Sequence, residues 1–236
     1  MRPCTLHFRN TTRALPPRAA DRRVFCRTAP TSSAPVQEAT DYTTPGEGKT
    51  LRRLILLRHA DSDQTQAVRD HDRQLSSAGR QQAAQVAQLI KSKGWTPDLV
   101  LASNSKRTKQ TLDEMSEVLE ELGSVDAHFY GSLYTVAALD GQTREHIMEC
   151  LLEVVDDVRN TVVMCVGHNK GWEEAASQFA GTAVKLRTAS AALLQVYSGS
   201  WREVLRDSVT WQLVEVMGPS SPSSSSSSSA TPSSSG

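Results

Sequence analysis

Apolar residues in the middle of the chain form two kinds of run. Short runs with little or no polar face, at 51–57 (LRRLILL), 99–102 (LVLA) and 161–166 (TVVMCV), predict strands buried on both sides. Between them, apolar residues recur at helical spacing. Ser76 and Ser77 are capping residues, and Ala83, Ala84, Val86, Ala87, Leu89 and Ile90 follow on one broad stripe that Gly94 ends. A second helix is expected over 106–122, with Leu112, Met115, Val118, Leu119 and Leu122 on one side and Gly123 as its stop. Further helices are expected over 143–155 and 172–179, a short strand over 127–130, and late strands over 191–197 and 211–216. Strands alternating with helices predict an α/β fold: a three-layer sandwich with a mostly parallel central sheet.

Composition changes at both ends. Before Glu38 the only acid is Asp21, while Arg2, Arg9, Arg13, Arg18, Arg22, Arg23 and Arg27 are scattered among Ser, Thr and Pro. Arg-rich, hydroxyl-rich and acid-poor describes an organelle transit peptide. The Ser, Thr and Pro content points to the chloroplast, with the mitochondrion as the alternative. Residues 41–49 (DYTTPGEGK) read as a linker, so 1–49 is expected to be transit peptide plus linker. Residues 218–236 are almost all Ser, with Pro219, Pro222 and Pro232, and are expected to form a flexible tail. The foldable part is 50–217, roughly 170 residues, enough for one domain with a sizeable core.

Lys plus Arg and Asp plus Glu each total 26 in 236 residues, so the net charge is zero and gives no footprint for nucleic acid. No apolar run approaches the roughly 20 residues needed to span a bilayer. The four cysteines, Cys4, Cys26, Cys150 and Cys165, include no C-x-x-C pair, so neither a disulfide framework nor a zinc site is expected.

Candidate chemistry gathers at strand ends. The first strand runs into Arg58-His59-Ala60, the second into Ser103-Asn104-Ser105-Lys106-Arg107, and the third into Gly167-His168-Asn169. Ligands of open α/β sheets bind beyond the carboxyl ends of the strands, and parallel neighbours would bring these three ends together. Lys106, Arg107 and Lys109 at a helix start oppose the helix dipole, an arrangement that makes sense if an anion sits between them. Two imidazoles and two guanidinium groups on one sheet edge are the parts needed to bind a phosphoryl group and attack it.

These motifs resemble those of the histidine phosphatase superfamily, which includes the phosphoglycerate mutases. Arg58-His59-Ala60 stands for the family's Arg-His-Gly; Ser103, Arg107 and Thr111 match its second motif; Gly167-His168 matches its later Gly-His. The likeness spans roughly residues 51–217, the whole foldable part. Asp72-Arg73-Gln74-Leu75-Ser76 and Gly79 look most like the compact SixA-type phosphohistidine phosphatases, with Gln74 where that group usually has Pro.

The resemblance implies a phosphoglycerate mutase-like fold and a phosphatase that needs no metal or other cofactor. His59 would be the nucleophile, Arg58 and Arg107 would grip the phosphoryl oxygens, and His168 would donate to them and help hold the dianion. Arg73 and Asn169 are further candidates for phosphate or substrate contact. Many relatives take a proton donor from the segment after the second helix, but residues 129–134 (FYGSLY) hold no carboxylate. Asp61 or Asp63 would then serve. The substrate would be a phosphohistidine-bearing protein. Two alternatives are a small-molecule phosphatase acting on sugar or other esters, and a non-catalytic phosphate-binding scaffold. Nucleic-acid or membrane partners are not expected.

Overall fold

Successive side chains of a strand point to opposite faces of its sheet, and a strand with no polar face must therefore be covered twice. In the first strand Leu54 and Leu56 join one apolar cluster with Leu151, Trp172, Phe179 and Trp201. Ile55 and Leu57 join another with Val86, Ile90, Leu112 and Met115. The two clusters are the two interfaces of a three-layer sandwich.

The computed structural model describes residues 48–136, 141–206 and 209–220. Nearly all of the expected transit segment, with Cys4 and Cys26, lies outside the described residues, as does the Ser-rich tail beyond residue 220. The elements are β1 (Thr50–Arg58), α1 (Ser77–Ser92), β2 (Leu99–Ser103), α2 (Lys106–Ser116), β3 (Asp126–Tyr130), α3 (Ser132–Val136), α4 (Thr143–Val154), β4 (Val162–Gly167), α5 (Gly171–Ala180), β5 (Ala191–Ser198), α6 (Trp201–Arg206) and β6 (Gln212–Met217). The sheet order is β3-β2-β4-β1-β5-β6. Strands β3, β2, β4 and β1 pair in parallel, whereas β5 is antiparallel to both β1 and β6. The sheet is thus mostly parallel, and the carboxyl ends of β1, β2 and β4 lie side by side, with Arg58 in register with Gly167.

Local chemistry explains most boundaries. The Ser76 hydroxyl accepts from the Gly79 amide at 2.9 Å and caps α1. Helix α2 is shorter than its stripe predicts. It ends at Ser116, and a 3-10 turn over Glu120–Ser124 replaces its last turns. Leu119 and Leu122 are buried nonetheless, so the stripe reported burial and not helix. Three elements carry too few residues to show a period and were not expected: α3, α6 and a 3-10 turn at Asp70–Asp72. Cys150 and Cys165 are free and buried, and burial pushes the Cys150 thiol up to about 12. Among the described residues no helix is long and apolar enough to cross a membrane.

Candidate active site

His59 is the first residue after β1. Its amide donates to the Gly167 carbonyl at 2.9 Å, and its own carbonyl accepts from the Ala189 amide at 3.1 Å, which fixes its backbone between β4 and the approach to β5. The imidazole Nδ1 lies 2.7 Å from the Ala60 carbonyl oxygen. That oxygen only accepts, so Nδ1 carries the hydrogen and Nε2 is the unprotonated nitrogen. Nε2 receives the Nε–H of Arg107 at 3.1 Å. Burial pulls the His59 pKa down to about 4; the Ala60 carbonyl opposes this, and Arg107 and Arg58 reinforce it. The ring is therefore neutral near pH 7, as a nitrogen nucleophile must be.

Arg107 stands in the first turn of α2 and is 6% exposed. Besides His59, its guanidinium donates to the Asp70 carbonyl at 2.6 Å, to Asp70 Oδ2 at 2.9 Å and to His168 Nδ1 at 3.1 Å. The anion that the cationic start of α2 calls for is present: it is the Asp70 carboxylate. Partial burial works to raise the Asp70 pKa, but Arg107, Tyr134 and Arg73 hold it below the ordinary carboxylate value.

His168 follows β4. Its Nδ1 accepts from Arg107, so Nε2 carries the hydrogen and donates to Ser103 Oγ at 2.8 Å. Burial, then the neighbouring His59 and Arg107, lower its pKa to about 2. In the resting site His168 is accordingly uncharged, with both nitrogens engaged by protein.

The other motif residues build this geometry. Thr111 lies one helical turn past Arg107; its hydroxyl donates to the Arg107 carbonyl at 2.7 Å and accepts from the Ala60 amide at 3.1 Å. Gly167 must lack a side chain, because a Cβ there would lie 2.3 Å from the Trp172 ring. Gly79 must as well, since a Cβ would stand 2.0 Å from the Asp61 carbonyl oxygen.

A cavity of about 450 Å³ opens over these groups, lined by His59, Asp70, Arg107, Tyr134, Thr135, His168 and Asn169. Of the residues expected from sequence, His59, Arg107, His168 and Asn169 reach its wall directly. Arg58 stands behind it, donating to the Leu186 carbonyl at 2.9 Å, with its buried Nε–H unpartnered. Arg73 reaches the site through Asp70, at 2.9 Å.

The two acids proposed as proton donors are engaged elsewhere. Asp61 accepts from the Ser76 hydroxyl at 2.6 Å, and Asp63 accepts from the Thr65 amide and hydroxyl and from Gln66. Neither lines the cavity, and the carboxylate that does is Asp70. Sequence reading missed Asp70, Tyr134 and Thr135. The signal available for Asp70 was the same unbalanced cationic helix start. The Tyr134 hydroxyl donates to Asp70 at 2.8 Å, and its ring stands edge-on to both His168 and His71, with centroids 5.1 Å apart in each pair. Among the described residues no group of three or more His, Cys, Asp or Glu side chains is placed to hold a metal ion.

A neutral imidazole with an unprotonated nitrogen, backed by two guanidinium groups and a second imidazole at the carboxyl edge of a parallel sheet, is an anion site of the class that phosphoryl transfer calls for. The description of the histidine phosphatase superfamily (branch 1) matches residues 54–129, a span that includes Arg58, His59, Ser103, Arg107 and Thr111. An uncharacterized chloroplastic protein of Arabidopsis thaliana is 42% identical over 193 residues, covering 80% of this chain and 88% of that protein. The chain belongs to the histidine phosphatase superfamily, and its site is that of a phosphatase. Among solved structures, the SixA protein of Nakamurella multipartitia is similar in fold, with a TM-score of 0.60 at 23% identity over 75% of this chain and all of that one. SixA of Agrobacterium tumefaciens gives a TM-score of 0.56 at 23% identity, over 71% of this chain and 98% of that one.

Proposed function

We propose that this phosphatase works through a phospho-His59 intermediate and that its substrate is phosphohistidine carried by a protein. The observation that carries the reading is the His59 ring: Nδ1–H anchored on Ala60, Nε2 unprotonated and facing Arg107, the imidazole neutral. In the first step Nε2 attacks phosphorus and the bond from phosphorus to the leaving ring nitrogen breaks; that nitrogen keeps the electron pair, and the substrate imidazole departs neutral with its proton on the other ring nitrogen. In the second step water attacks phospho-His59, the phosphorus–Nε2 bond breaks, and inorganic phosphate leaves. Arg107 and Arg58 grip non-bridging oxygens and balance the charge that spreads over them in the transition state. His168 turns from Arg107 to the phosphoryl group, whose charge raises its pKa and lets it donate. Asn169 contacts substrate at the rim, and Arg73 acts through Asp70. None of these roles requires a metal.

Two features support phosphohistidine as the substrate class. The carboxylate in the wall, Asp70, is ionised and salt-bridged, so it holds no proton for a departing alkoxide. A phosphohistidine tolerates that, because its unsubstituted ring nitrogen can take a proton from solvent before the bond breaks. The two SixA structures carry the name phosphohistidine phosphatase. The chloroplastic relative supports the chloroplast as the destination, with 1–49 as the transit peptide and linker; in this reading 50–217 is the catalytic domain and 218–236 a tail.

The test offers a phosphohistidine-bearing protein and a generic aryl phosphate side by side, in chelator. Faster turnover of the phosphohistidine protein is expected. Preference for the aryl ester moves the substrate to small metabolites. No phosphate release from either overturns the catalytic reading.

A further inference from the structure

Arg107 has five N–H groups, and four of them are already taken by protein. Nε–H is on His59, one hydrogen of Nη1 is on the Asp70 carbonyl, and Nη2 serves Asp70 Oδ2 and His168 Nδ1. A phosphoryl group gripped by the fork of a guanidinium takes two of them. Contacts must be surrendered before substrate can bind, and the candidates differ in what they lose. His59 and His168 are each 7% exposed and held by the strands they end. In the proposed mechanism they release Arg107 only after a phosphoryl group has arrived, when its charge turns His168 and its phosphorus takes the His59 lone pair. The Asp70 side chain is 46% exposed and sits on a three-residue 3-10 turn that buries nothing. It is also the one anionic contact, so it competes with a phosphoryl group for the same charge.

Asp70 also has somewhere to go. Its Oδ1 accepts from Arg73 Nη2 at 2.9 Å, and Oδ2 accepts from the Tyr134 hydroxyl at 2.8 Å. Arg73 is steadied in turn by Gln64, whose Oε1 accepts from its Nη1 at 2.9 Å. The carboxylate can leave Arg107 and still keep a counter-charge and a hydrogen-bond donor.

We propose that Asp70 is a resident anion on Arg107, displaced by the incoming phosphoryl group and then held at the cavity mouth by Arg73 and Tyr134. This rests on the reading of Arg107 as a phosphoryl-binding residue. The exchange makes the empty site only fractionally competent, which lowers its apparent affinity for any oxyanion by that fraction. Product phosphate, the simplest oxyanion the reaction makes, is released more readily for the same reason.

The test is the dissociation constant for inorganic phosphate, measured calorimetrically on the full chain. Asp70→Asn removes the competing charge and keeps the shape, and it should bind phosphate on the order of tenfold more tightly. Arg73→Ala should weaken phosphate binding in the wild-type background and lose that effect once Asp70→Asn is present. In the wild type, saturating phosphate should speed amide exchange over residues 69–73. Unchanged or weaker phosphate binding in Asp70→Asn overturns the proposal, as does an Arg73→Ala effect that persists in the double variant. The outcome is separable from the phosphatase reading. Tighter phosphate binding in Asp70→Asn without turnover of any phosphate compound removes the catalysis and leaves the exchange. Normal turnover with unchanged phosphate binding does the reverse.

Discussion

The Thr111 hydroxyl accepts the Ala60 amide at 3.1 Å, one residue beyond His59, and so ties the end of β1 to α2. Both residues are fully buried. Replacing Thr111 by the near-isosteric Val leaves that N–H without a partner, which costs about 1–3 kcal/mol. The loss is read as a lower denaturation midpoint, accompanied by a fall in kcat because Ala60, whose carbonyl orients the His59 ring, is no longer held to α2. Thr111→Ser should recover most of both. A Val variant as stable and active as wild type would show that the hydroxyl is not what holds the strand end.

His59→Ala should lower kcat roughly a thousandfold or more, because it removes the nitrogen that takes the phosphoryl group in the proposed mechanism. Thermal stability should change little by comparison. A quenched reaction of the wild-type enzyme should trap phosphate on one histidine, and peptide mapping should place it at His59. Phosphate found on His168 would exchange the two roles.

How much of this site could be read from the chain depended on whether a residue's job is local. Leu54–Leu57 and Val162–Val166 announced buried parallel strands because a strand covered on both faces has no room for polarity. Arg58, His59, Arg107 and His168 were legible because they sit at the ends of those strands or in the next helical turn. The direction of β5 was not legible, since apolarity does not encode it. Nor was Asp70. It lies 37 residues from Arg107 in sequence, on a turn of three residues, and only the fold brings the two within 2.9 Å. The expected donors Asp61 and Asp63 were nearer His59 along the chain, yet their carboxylates serve Ser76 and a local turn. Proximity in sequence was a poor guide there because the loop doubles back.

The buried imidazoles predict an acid-sensitive fold. Burial is the largest cause of the lowered pKa of His59, His168 and His128 alike. In the unfolded chain each takes a proton near 6.5. Below that pH the unfolded state binds more protons than the folded one, so stability falls as the solution becomes more acid. The limiting slope is about 1.4 kcal/mol per pH unit for each such group. The melting temperature should therefore drop between pH 6.5 and pH 5, and His168→Asn should flatten that dependence. Activity should behave differently. The acid limb of kcat/KM tracks protonation of His59 in the free enzyme, so it should fall near pH 4, well below an ordinary imidazole. An acid limb near 6.5 would mean that His59 is far more hydrated than its burial implies.

Gly167 separates stability from catalysis most sharply. It pairs with Arg58 across the sheet and precedes His168, and the Trp172 ring occupies the space a Cβ would need, at 2.3 Å. Trp172 cannot yield easily: it is fully buried, and its indole N–H donates to the Cys165 carbonyl at 3.2 Å. Gly167→Ala should therefore destabilise by about 1–3 kcal/mol, the usual cost of overpacking a close-packed core. It should also move His168 away from Arg107 and lower kcat/KM more than the stability loss accounts for. Trimming the ring in the same chain, as Gly167→Ala with Trp172→Phe, makes room for the methyl group. If packing is the cause, the double variant should recover activity that the single one lacks. If the double variant stays inactive, the defect lies instead in the backbone link between Gly167 and His59, where the Gly167 carbonyl accepts the His59 amide at 2.9 Å.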